Sequence, residues 1–217
     1  MVNKEAYKQL HEELRLSKIT LVAVSKTKPA EDILELYNLG HRDFGENYVQ
    51  ELAEKAEKLP TDIRWHFIGH LQSNKVRSIV PFIYLIHGVD SLKLLKEINK
   101  QAEKYKRVND CLLQVHIAQE ETKFGFDETE LLGLDLKQFP NVRIKGLMGI
   151  ASLTEDISKI RIEFRSLKTV FEKLKAQNPE LALLSMGMSA DYKIAVEEGS
   201  NMVRIGSLLF GERDKES

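Results

Sequence analysis

Short apolar runs alternate with longer amphipathic stretches along the whole chain. From about Val2 to Leu16 the sequence is charged, and Ala6, Leu10 and Leu14 form one apolar stripe, which predicts a helix. Ile19-Thr20-Leu21-Val22-Ala23-Val24 is continuous and β-branched, the pattern of a strand buried on both faces. Pro29 then opens a helix over Ala30–Leu39, and Gly40 stops it. The same grammar predicts strands near His41–Phe44, Arg64–Ile68, Ile83–Val89, Cys111–Ile117, Val142–Met148, Ala182–Met186 and Met202–Ile205. Between them it predicts helices over Val49–Lys58, Ser73–Val80, Ser91–Tyr105, Glu128–Gln138, Ile157–Gln177 and Ala190–Glu197.

Strict alternation of strand and helix implies parallel pairing with right-handed crossovers. Eight such units point to a single (β/α)8 barrel of TIM type, preceded by the N-terminal helix and occupying residues 1–217 as one domain. The length of 217 residues lies near the lower limit of about 200 for that fold. An open doubly wound sheet is the competing architecture, and periodicity does not separate the two.

Composition narrows the function classes. Hydrophobic residues at 42% and charged residues at 30% exclude a disordered chain. Lys plus Arg at 32 against Asp plus Glu at 33 argues against a face built for nucleic acid. No run approaches the roughly 18 apolar residues of a membrane span, and Met1 to Glu5 lacks the apolar core of a signal peptide. Cys111 stands alone in an apolar run and reads as buried filler. These features predict a reduced, cytoplasmic protein, expected to be a monomer with no nucleic-acid or membrane partner.

In a barrel the chemistry gathers on the loops after the strands. Lys26 ends the first strand. Glu46 and Asn47 follow the second, Gly69 and His70 the third, Asp90 and Ser91 the fourth, Lys123 and Gly125 the fifth, and Met148 and Gly149 end the sixth. Ser185, Gly187 and Ser189 lead from the seventh strand into a helix, while Gly206 and Ser207 follow Arg204 on the eighth. Loops after strands 7 and 8 often hold phosphate on backbone N–H groups and small hydroxyls, though Ser189 is equally an ordinary helix cap. No Walker-type sequence suggests a nucleoside triphosphate. A lysine at a buried strand end loses hydration, which favours the neutral amine that condenses with carbonyls, whereas Lys28 beside Pro29 reads as a solvated turn lysine. Lys26 and a phosphate loop together suit a phosphorylated aldehyde or the phosphosugar of an aldolase. His66 and His70 are four apart but flank a strand, which does not suggest a metal site. Glu120 and Glu121 read as a solvated loop, and Trp65 as core.

Five motifs resemble the pyridoxal phosphate homeostasis protein family. They are Val22–Pro29, Phe44–Glu51, Trp65–Lys75, Leu184–Ser189, and Val203–Gly206 with Phe210-Gly211. The resemblance implies a barrel like the N-terminal domain of alanine racemases, binding pyridoxal 5'-phosphate. It implies Lys26 as the Schiff-base lysine, Asn47 near the cofactor ring, Met148 lining the pocket and Arg204 facing the pyridine nitrogen. Ser185, Ser189, Gly206 and Ser207 would hold the phosphate. Gln114-Val115-His116-Ile117-Ala118 departs from the more polar pair common among relatives, away from these residues.

Two functions follow from that resemblance. One is a non-catalytic carrier that stores, buffers or delivers the cofactor, with apo-enzymes that use it as acceptors. The alternative is an amino-acid racemase of the alanine racemase type. A cationic Arg204 at the pyridine nitrogen weakens the electron sink that carbanion chemistry needs. Racemases of this type also carry a second domain and a partner-supplied tyrosine, which the eighth unit, ending near Gly211, leaves no room for. The expectation is therefore the carrier.

Overall fold

The computed structural model describes residues 2–118 and 124–211. Its strands are β1 (Thr20–Val24), β2 (Asp43–Glu46), β3 (Arg64–Phe67), β4 (Leu85–Val89), β5 (Asn109–Gln114), β6 (Val142–Met148), β7 (Leu183–Ser185) and β8 (Met202–Ile205). They pair in sequence order, all parallel, and β8 closes on β1. The closed barrel, not the open sheet, is the architecture. Helix α1 (Lys4–Leu16) precedes it, and α2 (Ala30–Asn38), α3 (Val49–Lys58), α4 (Val76–Ile79), α5 (Leu92–Lys104), α6 (Glu128–Leu132), α7 (Ile157–Gln177) and α8 (Tyr192–Glu197) fill the connections. A short α9 (Ser207–Phe210) follows β8. Among the described residues no helix is long and apolar enough to cross a membrane.

Local chemistry accounts for the element ends. The Ser91 hydroxyl accepts from the Leu94 amide at the start of α5, and the Asp156 carboxylate accepts from Ser158 and Lys159 at the start of α7. Behind the caps, Leu94, Leu95, Ile98 and Ala102 on α5, and Ile160, Phe164, Leu167, Phe171 and Leu174 on α7, bury one stripe against the sheet. In α1 the buried stripe is Tyr7, Leu10 and Leu14, one residue round from the predicted one at its start. Cys111 is fully buried, and burial pushes its thiol well above the ordinary range.

Several boundaries moved. The second strand lies two residues later than the pattern suggests, because Gly45 and Glu46 pair with His66 and Phe67. His41 instead turns under α1, its ring against Tyr7 and Phe44 and its Nε2 on the Asp43 carbonyl. The predicted helix over 128–138 breaks into α6 and a 3-10 turn, Leu136–Gln138, where the Asp135 carboxylate captures the Lys137 amide. The predicted helix over 73–80 begins as a 3-10 turn, Ser73–Lys75, and only then becomes α4. β5 stops at Gln114; the Val115 amide still donates to the Met148 carbonyl, and Val115 bridges to Phe126.

Two apolar regions hold the barrel. The larger lies between sheet and helices, and includes Trp65. The smaller fills the inside of the barrel with Val22, Leu85, Leu112, Met148 and Met202. Strand ends on this plug face the rim where β1 and β8 finish.

The burial of His41 makes stability depend on acid. With 4% of its surface exposed, burial holds its imidazole down at about 4, from an ordinary 6.5, against the pull of the Asp43 carbonyl. A depressed histidine contributes its stability above about pH 6.5, and that contribution is lost as pH falls toward 4. The lost contribution is up to about 3 kcal/mol. Melting temperatures between pH 7 and 4 should therefore fall less steeply in His41→Gln than in the parent chain. Parallel curves would refute the assignment.

Candidate functional site

The turn after β1 is held from three sides. The Ser25 amide donates to the Gly45 carbonyl, and the Ser25 hydroxyl to Glu46 Oε1 at 2.7 Å. Thr27 sits at φ +63, an unfavourable conformation for a β-branched residue, and its amide donates to Glu51 Oε1 at 2.6 Å. Lys55 of α3 joins these anchors. Its ammonium donates to the Ser25 carbonyl at 2.8 Å, Glu46 Oε1 at 2.7 Å and Glu51 Oε1 at 2.6 Å, which uses all three of its hydrogens. Lys26 stands between the two clamped residues, so its backbone is placed by a buried ion cluster. Burial pushes the Glu46 carboxyl up to about 7, while Lys55 and the Ser25 hydroxyl pull it down.

Above this turn opens a cavity of about 600 Å³, within the range of roughly 300–1,000 Å³ usual for small-molecule sites. Lys26, Asn47, Ser189, Arg204, Gly206 and Ser207 line it together. Apolar walls come from Val24, Ile68 and Ile150, at or just beyond the ends of β1, β3 and β6. Lys28 also lines it, which corrects its reading as a solvated turn lysine. α9 folds back over the end of β1, and the Lys28 ammonium donates to the Phe210 carbonyl at 2.9 Å.

Two predicted residues lie elsewhere. Ser185 has no exposed surface and sits beneath Arg204, so its hydroxyl does not reach the cavity. Met148 packs into the apolar plug inside the barrel, because its strand position points inward one layer below the rim. The loop between them and α8 is also not a serine cap. Asp191 accepts from the Met188 amide, and the Ser189 hydroxyl instead accepts from the Gly206 amide at 3.2 Å, tying the β7 and β8 loops together. Gly187 permits that turn: at φ +96 a Cβ would come within 2.6 Å of Ala195 Cβ.

Arg204 is 3% exposed, and among the described residues no carboxylate is in contact with it. Nη1 donates to the Ser185 carbonyl at 2.9 Å and its hydroxyl at 2.6 Å, and Nη2 to the Gly149 carbonyl at 3.0 Å. Burial lowers its pKa to about 10, opposed by the Asp191 charge, so it remains a cation at neutral pH. Opposite, Asn47 Oδ1 is buried without a hydrogen-bond partner among the described residues. Gly69 brings the Asn47 backbone there, since a Cβ at Gly69 would lie 2.5 Å from the Asn47 carbonyl oxygen. A second cavity, of about 230 Å³, shares Asn47, Ile68 and Ile150 with the first and is also lined by His70, Gln114 and Phe124. His70 stacks on Phe124 and pairs with Asp90 at 2.7 Å, while His66 points into the barrel. Among the described residues no cluster of three His, Cys, Asp or Glu side chains is set to hold a metal ion. Glu120, Glu121 and Lys123 lie outside the described residues.

Residues 4–214 match the family model described as alanine racemase, N-terminal domain. A pyridoxal phosphate homeostasis protein from Aquifex aeolicus is 45% identical over 197 residues, covering 89% of this chain and 86% of that protein. This chain belongs to the pyridoxal phosphate homeostasis protein family. PipY from Synechococcus elongatus, solved with pyridoxal phosphate bound, superimposes with a TM-score of 0.88 at 38% identity, over 95% of this chain and 99% of PipY. Alanine racemase from Clostridium difficile shares the fold alone, with a TM-score of 0.78 at 15% identity over 58% of that enzyme.

Sequence reasoning missed the clamp, although Glu51 and Lys55 stand at ion-pair spacing on one helix. Only the fold brings Glu46 and Ser25 to them. Lys55→Met would leave Glu46 buried without its cation, and unfolding in urea should show a loss of about 3–5 kcal/mol. Adding Glu46→Gln should restore part of that loss, since a neutral amide needs neither the cation nor the proton that burial then forces onto the carboxyl. A loss below about 1 kcal/mol in the single variant would contradict the clamp.

Proposed function

We propose that this chain binds pyridoxal 5'-phosphate at the β1–β8 rim, with Lys26 as its covalent anchor, and that it holds and passes on the cofactor without turning over amino acids. The observation that carries the reading is the convergence, in one cavity, of a strand-end lysine with the Ser189, Gly206 and Ser207 loops. A phosphate is recognised by such amides and hydroxyls, and Lys28 adds a cation on the same wall. Ile68 and Ile150 supply apolar faces for an aromatic ring, and the unpartnered Asn47 Oδ1 offers an acceptor to a ring hydroxyl. Arg204, a cation at neutral pH, is the residue that would face the ring nitrogen. The bound cofactor supplies an aldehyde for the lysine and an electron-accepting ring.

What favours a holder over an enzyme is the composition of that wall. Among the described residues lining the cavity, Lys26, Lys28 and Arg204 are the ionisable groups, and no carboxylate, imidazole or phenol stands with them as a second base. Arg204, a donor only, cannot accept a hydrogen bond from a protonated ring nitrogen and so does not keep the ring in its stronger electron-accepting form. The name of the family, a homeostasis protein, supports a holder, and the pyridoxal phosphate bound in PipY supports the choice of cofactor.

Borohydride reduction of the loaded chain, followed by peptide mass mapping, should place the pyridoxyl group on Lys26. Recovery on Lys28, or on no lysine, would overturn the anchor. Pyridoxal lacking its phosphate should bind far more weakly, and equal affinity would remove the phosphate site. In deuterated water with each L-amino acid, α-carbon exchange should not exceed that of free cofactor; sustained Lys26-dependent exchange would establish the racemase reading instead.

A further inference from the structure

Through the inside of the barrel runs a string of polar side chains that does not itself line the cofactor cavity, except at its end. Arg204 Nη1 donates to Ser185 Oγ at 2.6 Å. Ser185 Oγ lies 3.2 Å from His87 Nδ1, and His87 Nε2 lies 2.9 Å from His66 Nδ1. His66 Nε2 lies 3.0 Å from Asp43 Oδ1, and Asp43 takes two further bonds from Arg64 at 2.7 and 2.5 Å. His66, His87 and Ser185 have no exposed surface, and Asp43 is 8% exposed.

The two ends, together with the cost of adding a charge to the interior, direct every link. A guanidinium has only hydrogens to give, and a carboxylate only lone pairs. Ser185 Oγ receives a hydrogen from Arg204, which leaves its own single hydrogen available to His87 Nδ1. His87 then carries its hydrogen on Nε2 and gives it to His66 Nδ1. His66 in turn carries its hydrogen on Nε2 and gives it to Asp43. In this arrangement all four links are satisfied and each ring holds one proton. The alternative, with Ser185 Oγ accepting from both Arg204 and His87, needs a doubly protonated His66 and so places a further charge in the interior, which the first arrangement avoids. Burial acts in the same sense at His87, holding it well below the ordinary imidazole range, and the nearby Arg204 charge adds to the effect. At the far end, hydrogen bonds from His66 and Arg64 outweigh burial and keep Asp43 an anion.

We propose that Asp43, His66, His87 and Ser185 are positioning residues, a proton-ordered chain that orients Arg204 toward the cofactor cavity. The proposal rests on the reading that this cavity takes pyridoxal phosphate. A serine hydroxyl is free to rotate, and only an acceptor behind it keeps its oxygen, not its hydrogen, turned to Arg204. With that oxygen and the Ser185 and Gly149 carbonyls on one side, the guanidinium is fixed with its remaining edge to the cavity. Links in such a chain polarise one another. The chain also joins the two mouths of the barrel. Asp43, Arg64 and His66 line a separate cavity of about 290 Å³ at the strand starts, with Tyr84, Asp110 and Lys145. A change of charge there is felt at Arg204.

Two measurements test this. In the 15N-labelled chain without cofactor, side-chain 15N–1H correlations should show His66 and His87 both neutral with the hydrogen on Nε2. A hydrogen on Nδ1, or a doubly protonated ring at either residue, overturns the chain whether or not the cofactor binds. Asp43→Asn then removes the terminal charge at the mouth remote from the cofactor while keeping size and an acceptor. It should shift the absorption band of the bound cofactor and weaken its binding about tenfold, the scale typical of outer partners at a buried site. An unchanged band and unchanged affinity in folded Asp43→Asn overturn the proposal; should that variant not fold, His66→Gln, which retains the donor to Asp43, is read the same way. Absence of cofactor binding by the parent chain instead overturns the functional reading, and the tautomers still decide the chain.

Discussion

Closure of the sheet between β1 and β8 is the constraint on which the site depends. Thr20 to Ala23 pair with Met202 to Ile205, residues separated by almost the whole chain. That register sets the turn after Val24 beside the loop after Ile205, and so puts Lys26 across one cavity from Gly206 and Ser207. Helix α1 reinforces the seam from outside, where the Asn3 amide donates to the Leu209 carbonyl at 2.8 Å. Any loosening of this pairing separates the proposed anchor from the proposed phosphate loops before it alters either one.

The buried cations around the rim are held in two opposite ways, and the difference bears on function. Lys55 spends its three hydrogens on two carboxylates and a carbonyl, so its charge is neutralised within the protein and serves only to place the Lys26 turn. Arg204 is surrounded by carbonyls and a hydroxyl, dipoles that hold its geometry without cancelling its charge. Its nearest attraction from an acid is the through-space field of Asp191. A cation left uncompensated in a dry site keeps its field for whatever enters the cavity.

Barrels of this type usually fill their interior with layers of branched aliphatic side chains. Here Val22, Leu85, Leu112, Met148 and Met202 supply that layer, but two histidines, a serine and an arginine pass through it. Buried polar groups are costly unless every one is paired, and in this string each donor meets an acceptor. An apolar plug would fill the space as well but would leave Arg204 only the Ser185 and Gly149 carbonyls as partners.

The eight strands, the N-terminal helix and the set of rim residues were legible in the sequence because they rest on local facts: β-branched runs, amphipathic periods and small residues at strand ends. The family resemblance pointed to Lys26, Asn47, Arg204, Ser189, Gly206 and Ser207, which do converge on one cavity. Sequence could not separate Ser185 from Ser189, since both are serines beside β7; the inward turn of the strand buries one beneath Arg204 and the loop lifts the other to the rim. Nor could it place Met148 inside the plug, Lys28 on the cavity wall, or His66 against His87. Barrel closure over an open sheet, the Lys55 clamp and the string from Asp43 to Arg204 are relations between residues far apart in the chain. Periodicity reports which face of an element is buried, but only the register of parallel strands decides which buried groups meet.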